Sequence, residues 1–401
     1  MKKLRPQVVV AGHICLDITP TFIKSNKNSL DEIFIPGKLI NVGRINISPG
    51  GPVSNTGIAL SILGINVELM GKVGRDYFGE CILNILKPRG LHKGMIITEG
   101  EETSYTVVIV PPGLDRIFFH NPGANDTFCA DDINYELVGK AKIFHFGYPP
   151  LMKRFYSDGG EELAQVFRKV KSLGVTTSLD MSLPDASSQS GKVNWDAILR
   201  RVLPYVDIYI PSAEETLFML RKDIYEELGR VSKGRDMIEC LDINLLQELG
   251  NKLLSYGTGM AVIKCGIKGY YIRTGDRKRL NDFGKAIPSP IDNWSERELL
   301  EESFYVPDAI SATGSGDSSI AGFLAALLGK KSIEESIRIA CAVGAQNVRA
   351  LDAISGIRTW EETMEMVKGP FKKNRLDIHG NYWVYDSDRG LWKGQKDKSC
   401  K

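Results

Sequence analysis

The chain has few cysteines for its length and no pattern in their placing. Seven occur in 401 residues (Cys15, Cys81, Cys129, Cys240, Cys265, Cys341, Cys400), an odd number without a CxxC pair. That argues against a disulfide framework or a structural zinc site, and for a reducing cytoplasm. Surplus charge is missing too: 51 Lys and Arg against 49 Asp and Glu leave a formal net charge of +2. Nothing in that balance calls for nucleic acid or an anionic membrane as partner. The densest basic run, DRKRL at Asp276–Leu280, is short and reads as a solvated loop. No apolar run approaches the roughly 20 residues that span a bilayer. The start, MKKLRPQVVVAGHICLD, imitates a secretion signal, yet His13 and Asp17 interrupt it and no small-x-small cleavage site is present. A first buried strand accounts for the same letters.

Two nucleotide signatures are also absent. No G-x4-G-K-[ST] string occurs, and AGHICLD after the first apolar run carries one glycine rather than GxGxxG, which disfavours a dinucleotide oxidoreductase. There is no fixed-period repeat and no low-complexity tract.

What is present is an alternation. Short β-branched runs at Val8–Ala11, Val67–Met70, Lys142–Phe146, Val175–Leu179, Asp207–Ile210 and Met260–Lys264 are separated by helical patterns such as Asp76–Lys87, Gly160–Leu173 and Ile243–Tyr256. That order predicts right-handed βαβ crossovers and a mainly parallel sheet with helices on both faces. Ligands of such sheets bind at the carboxyl ends of the strands. Ile18–Ser48 and Met95–Asn121 break the alternation with strand-like runs lacking helices, and predict a small antiparallel β lid drawn from 15–48 and 94–126. One α/β domain is expected over 1–369. Arg221–Asp242 and Thr274–Glu302 read as polar insertions, and 370–401 as an extension with a β hairpin turning at Ser387–Gly390.

The stretch ISATGSGDSSIAGFLAALLG, Ile310–Gly329, carries the chemistry. Apolar residues at Ile320, Phe323, Leu324, Leu327 and Leu328 predict a helix beginning near Asp317. Glycines ahead of it let N–H groups turn inward beside the free N–H groups and positive end of the helix, which makes an anion hole. The competing reading makes Asp317 an ordinary helix cap worth about 1 kcal/mol. A second loop, SPGGPVSNTG at Ser48–Gly57, fits a tight turn with Pro52 opening a helix and Asn55 in its first turn. There the amide can donate and accept towards a hydroxylated ligand. Asp17 is either a turn residue or an acceptor for ligand hydroxyls. GKVGRDYFG at Gly71–Gly79 reads as structural.

TGSGD at Thr313–Asp317, with GG-x3-N at Gly50–Asn55 and GKVGRDYFGE at Gly71–Glu80, in that order and separation, resembles the ribokinase-like (PfkB) carbohydrate kinases. The similarity covers Val8 to about Val367. It implies a lidded ribokinase-like α/β fold and an ATP- and Mg2+-dependent phosphotransferase acting on a hydroxyl, primary by expectation, of a sugar or sugar derivative. Asp317 then stands at the catalytic base, beside the N–H groups of Gly314, Ser315 and Gly316. Asp17, Gly50, Gly51 and Asn55 match positions that grip sugar hydroxyls. Lys264, Gly266 and Gly269 in IKCGIKG, with Thr313 and Asn347, match the surroundings of the nucleotide. Glu215 in PSAEE matches an acid that organises magnesium, directly or through water. The chain departs from the family where Ser212 replaces an asparagine and Ser311 an aspartate, which puts a monovalent-cation site in doubt. A nucleoside kinase and an idle sugar-binding sensor are the alternatives. The lid edges suit a homodimer.

Overall fold

The computed structural model describes residues 5–22, 30–110, 117–233, 236–378 and 382–400. Parts of the expected lid (23–29 and 111–116), of the 221–242 insertion and of the chain's two ends lie outside them. The strands are β1 (Val8–Gly12), β2 (Cys15–Phe22), β3 (Val42–Gly50), β4 (Val67–Met70), β5 (Lys72–Gly74), β6 (Ile96–Thr98), β7 (Tyr105–Ile109) and β8 (Ile117–Asn121). They continue as β9 (Ile143–Gly147), β10 (Thr176–Asp180), β11 (Ile208–Tyr209), β12 (Met260–Lys264), β13 (Tyr270–Thr274), β14 (Glu298–Glu301), β15 (Trp383–Asp386) and β16 (Leu391–Gly394).

Ten of these form one sheet in the order β15-β16-β14-β13-β12-β11-β10-β9-β1-β4. Its β4-to-β12 half is parallel and the remainder antiparallel. The run VVVAG is buried throughout, as a central parallel strand covered on both faces must be. Val8 and Val10 pack into one apolar cluster, Val9 and Ala11 into the other, so the two-residue period of the strand separates the two cores.

The lid is the sheet β3-β2-β7-β8. Its β2–β3 and β7–β8 pairs are antiparallel, but β2–β7 is parallel, because the chain returns to the lid after a helix-containing excursion rather than a hairpin. Ile96–Thr98, inside the expected lid range, pairs instead with β5 in a separate ribbon. GKVGRDYFG has a structural role: Asp76 accepts the N–H groups of Gly79 and Thr103, capping helix Tyr77–Leu86 and tying it to the approach to β7.

Neither polar stretch is a mere loop. Helix Lys222–Ser232 lies in the first, and the second supplies β14 to the main sheet. The hairpin β15–β16 extends that sheet beyond β14.

The register sets up the site. Gly12, Gly147 and Asp180 are aligned across β1, β9 and β10, and Lys264 ends β12 next to Ser212. His13, Tyr148 and helix Ala213–Leu220 therefore leave the same carboxyl edge.

Candidate active site

Helix Ser315–Leu328 starts two residues earlier than its apolar spacing suggests, because Gly314 takes a left-handed backbone (φ 72°) that turns the chain into it. A Cβ on Gly314 would lie 2.2 Å from the Ala353 Cβ, so no side chain fits there. Asp317 makes no cap bond to its own helix. Its carboxylate points to helix Pro52–Ile62, accepting from Asn55 Nδ2 at 3.0 Å and, more loosely, from Thr56 Oγ1 at 3.4 Å. Tyr148 donates its hydroxyl to Asp317 Oδ2, also at 3.0 Å. That geometry decides against the ordinary cap. Asp317 is 2% exposed, so in this conformation its carboxyl is enclosed rather than open.

The anion hole differs in one member from the expectation. The Ser315 N–H donates to the Ala312 carbonyl at 3.2 Å and is not available. Among the described residues, the N–H groups of Gly314, Gly316 and Asp317 meet no acceptor and remain to receive an anion. Ser311 holds the loop, its hydroxyl accepting from the Thr313 N–H and donating to the Thr313 hydroxyl.

Lys264 brings positive charge to the same place. A Cβ on Gly316 would sit 3.6 Å from its Nζ, so the ammonium lies against the helix start. It donates to Asp180 Oδ1 at 2.6 Å, while Asp180 Oδ2 is buried without a partner. Glu215 completes the group and also closes a capping box with Ser212, whose hydroxyl accepts the Glu215 N–H. Burial pushes the Asp317, Asp180 and Glu215 carboxyls upward, against the pull of the lysine. Burial alone would lower Lys264, but the Asp180 and Glu215 carboxylates outweigh it and keep it protonated. The unpartnered Asp180 Oδ2 and the Glu215 carboxyl are hard oxygen donors beside the Lys264 ammonium, although among the described residues no three His, Cys, Asp or Glu side chains are grouped to hold a metal ion.

The paired glycines have a plain steric cause. A Cβ on Gly50 would lie 2.4 Å from the Asp17 carboxylate, and one on Gly51 (φ 83°) 2.6 Å from His13 Nδ1. The loop is bare so that an acid and an imidazole can close on it. Asp17 sits within lid strand β2, not in a turn after β1, and burial pushes its carboxyl up to about 6.

Two residues expected beside the nucleotide also have structural partners. Asn347 is buried and donates to the Thr313 carbonyl at 2.7 Å, bracing the loop, while its Oδ1 is left without a partner. Gly269 owes its missing side chain to the Glu301 carbonyl, 1.9 Å from where a Cβ would stand, while Gly266 is free of such crowding. Sequence reasoning missed Asp180, Thr56 and the pairing of Tyr148 with Asp317. Asp180 was discoverable, as an acid ending the buried run TTSLD at the carboxyl edge of a parallel strand. Contacts of Tyr148 across 169 residues were not.

A family model described as pfkB family carbohydrate kinase matches residues 7–360. Fructokinase-1 of Zea mays is 26% identical over 331 residues, covering 80% of this chain and 88% of its own. The solved Arabidopsis thaliana ribokinase, complexed with ribose and ATP, superposes with a TM-score of 0.65 at 19% identity, over 91% of this chain and 100% of its own. A candidate ribokinase II of E. coli, solved with ATP and Mg2+, gives a TM-score of 0.63 at 18% identity, over 90% and 99% of the two chains. At these identities the two structures establish the ribokinase fold.

Proposed function

Because the chain belongs to the pfkB carbohydrate kinase family, we propose that this site moves the γ-phosphoryl group of ATP to a sugar hydroxyl, with Asp317 as general base. The enzyme is a carbohydrate kinase, a phosphotransferase with an alcohol acceptor. The observation that carries the finer reading is the enclosed Asp317 carboxylate, bonded to Asn55 of the double-glycine loop and set at an unsatisfied helix start beside Lys264.

The acceptor hydroxyl enters beside Asp317, displacing Tyr148 or Asn55 from one carboxylate oxygen. Asp17 and Asn55 hold neighbouring hydroxyls by accepting and donating hydrogen bonds. As the hydroxyl attacks, Asp317 takes its proton, a contribution of roughly 10²–10⁴-fold in rate. The N–H groups of Gly314, Gly316 and Asp317, with the Lys264 ammonium, stabilise charge on the transferring group. Asp180, through its unpartnered Oδ2, and Glu215 would hold Mg2+. When bound, the ion neutralises nucleotide phosphate charge next to these carboxylates.

The ATP-bound relatives support the nucleotide, and the fructokinase relative makes fructose the first sugar to try. Of the aromatic residues that could stack on a base, Phe34, Phe118 and Phe119 are exposed, Phe22 is half-buried at the end of β2 and Tyr148 is engaged with Asp317, which favours a sugar over a nucleoside. Ser212 and Ser311, which depart from the family, have structural work in this chain, so they do not argue for an idle sensor. The lid carries exposed Ile45, Ile47 and Phe119, which supports pairing of two copies; a monomer by sedimentation contradicts that. Among the described residues no helix is long and apolar enough to cross a membrane. ADP release from ATP and Mg2+ across a panel of neutral sugars and nucleosides tests the assignment. Turnover of a sugar is expected; turnover of nucleosides alone, or of nothing while sugar binds, contradicts it.

A further inference from the structure

His13 follows β1 with both ring nitrogens buried and unpartnered. It packs on Gly51 of the substrate loop, and its ring lies 5.1 Å from that of His120 on lid strand β8 and 6.1 Å from Tyr148. His120 Nδ1 is 3.0 Å from the Thr106 hydroxyl, and its Nε2 is likewise buried without a partner. Thr106 lies 3.6 Å from the Cys15 sulfur, which donates to Asp17. One continuous polar wall thus runs from Asp17 through the lid to the two imidazoles, then by Tyr148 to Asp317. Three of its nitrogens have nothing to bond.

We infer that His13 and His120 are the specificity-determining residues of this pocket, reading the hydroxyls of an uncharged polyol and turning away sugar phosphates and sugar acids. The inference rests on the kinase reading and deepens it. Burial holds His13 well below its ordinary range, and His120 down at about 4, so both rings are uncharged near neutral pH. An uncharged imidazole offers one donor and one acceptor, the pair that a hydroxyl or vicinal diol satisfies and that an anion satisfies only in part. The charged side chains along this wall, Asp17 and Asp317, are carboxylates and repel an anionic substrate end. The lysine, Lys264, stands at the helix start, where the transferring phosphate belongs. A buried polar atom left unpaired is costly, so a ligand that supplies the missing hydrogen bonds is selected over one that lacks them.

The test compares wild type with His13→Ala, His120→Ala and His120→Gln, the last keeping a group near the Nε2 position. Both alanine variants are expected to raise the sugar KM about tenfold or more, with kcat and the ATP KM within about threefold, and His120→Gln to recover most of the loss. Wild type should also discriminate by about a hundredfold or more between the neutral sugar and its phosphorylated or carboxylate derivatives. An unchanged sugar KM in the alanine variants overturns the inference while leaving the kinase standing. Equal use of the anionic derivatives does the same. A wild type that phosphorylates no sugar overturns both. If His13→Ala fails to fold, the His120 pair on the lid decides alone.

Discussion

Tyr148→Phe removes one oxygen and nothing else from the base. Tyr148 is held with φ 65° and ψ 42°, a left-handed backbone that costs a bulky residue about 1 kcal/mol or more. The chain bears that strain with the hydroxyl 3.0 Å from Asp317 Oδ2. A hydrogen bond to a charged group is worth about 1.5–3 kcal/mol, and one pKa unit corresponds to about 1.4 kcal/mol. The bond favours the ionised carboxyl, so deleting it raises the Asp317 pKa, and a half-buried Tyr148 suits the lower end of that energy range. The acid limb of kcat/KM reports ionisation of the base in the free enzyme, the state described by this structure. In Tyr148→Phe that limb should move about one unit towards higher pH, with the alkaline plateau within a few-fold of wild type. A limb that stays put, or moves to lower pH, refutes the assignment of Asp317 as the titrating base held by Tyr148.

Asp17 supplies a stability prediction of defined sign. Its carboxyl sits at about 6 in the folded chain against 3.8 for the ordinary side chain, because burial disfavours its charge. The protonated form suits the fold, so this favourable term is whole below pH 4, is lost as pH rises through 6, and is absent above. Asp17→Asn should therefore raise thermal stability at pH 7.5 by about 1–3 kcal/mol and leave it unchanged at pH 4; no gain at pH 7.5 refutes the burial argument. The Arg297 guanidinium, 2% exposed, is bonded to Asp397 near the chain's end and to Glu334. Asp397→Ala leaves half that charge uncompensated and should cost about 3 kcal/mol in urea unfolding, whereas a change below about 0.5 kcal/mol would mean the tail is only loosely tied. Because the Ser311 hydroxyl is already bonded to Thr313, replacing Na+ by K+ should leave turnover essentially unchanged. A tenfold activation would place a cation there.

The parts of the fold legible in the sequence were those written in local periodicity. VVVAG announces a buried parallel strand because it is apolar without interruption, Val175–Leu179 because it is rich in β-branched residues, and the GG-P turn announces a helix start. Helix Ser315–Leu328 began earlier than its apolar spacing because a left-handed glycine, not the first apolar residue, sets the boundary. The two motifs singled out Asp317 and Asn55, which the fold brings into hydrogen-bond contact. The roles of their neighbours were not legible, since these depend on contacts across the chain. The Ser315 N–H is consumed by a local turn, the Asn347 amide N–H by the Thr313 carbonyl, and the space beside Gly269 by β14. His13 looked like an oddity in an apolar run, and only the lid folding over it shows that its ring faces His120.

The carboxyl of residue 317 bears the whole account, and Asp317→Asn keeps its shape while removing its basicity. The decisive measurement is steady-state turnover of ATP and sugar by that variant beside its ATP affinity by calorimetry. The account predicts a fall in kcat of about a hundredfold or more with ATP binding within about threefold. Turnover near wild type, or an ATP affinity that collapses together with it, would contradict the role given to Asp317.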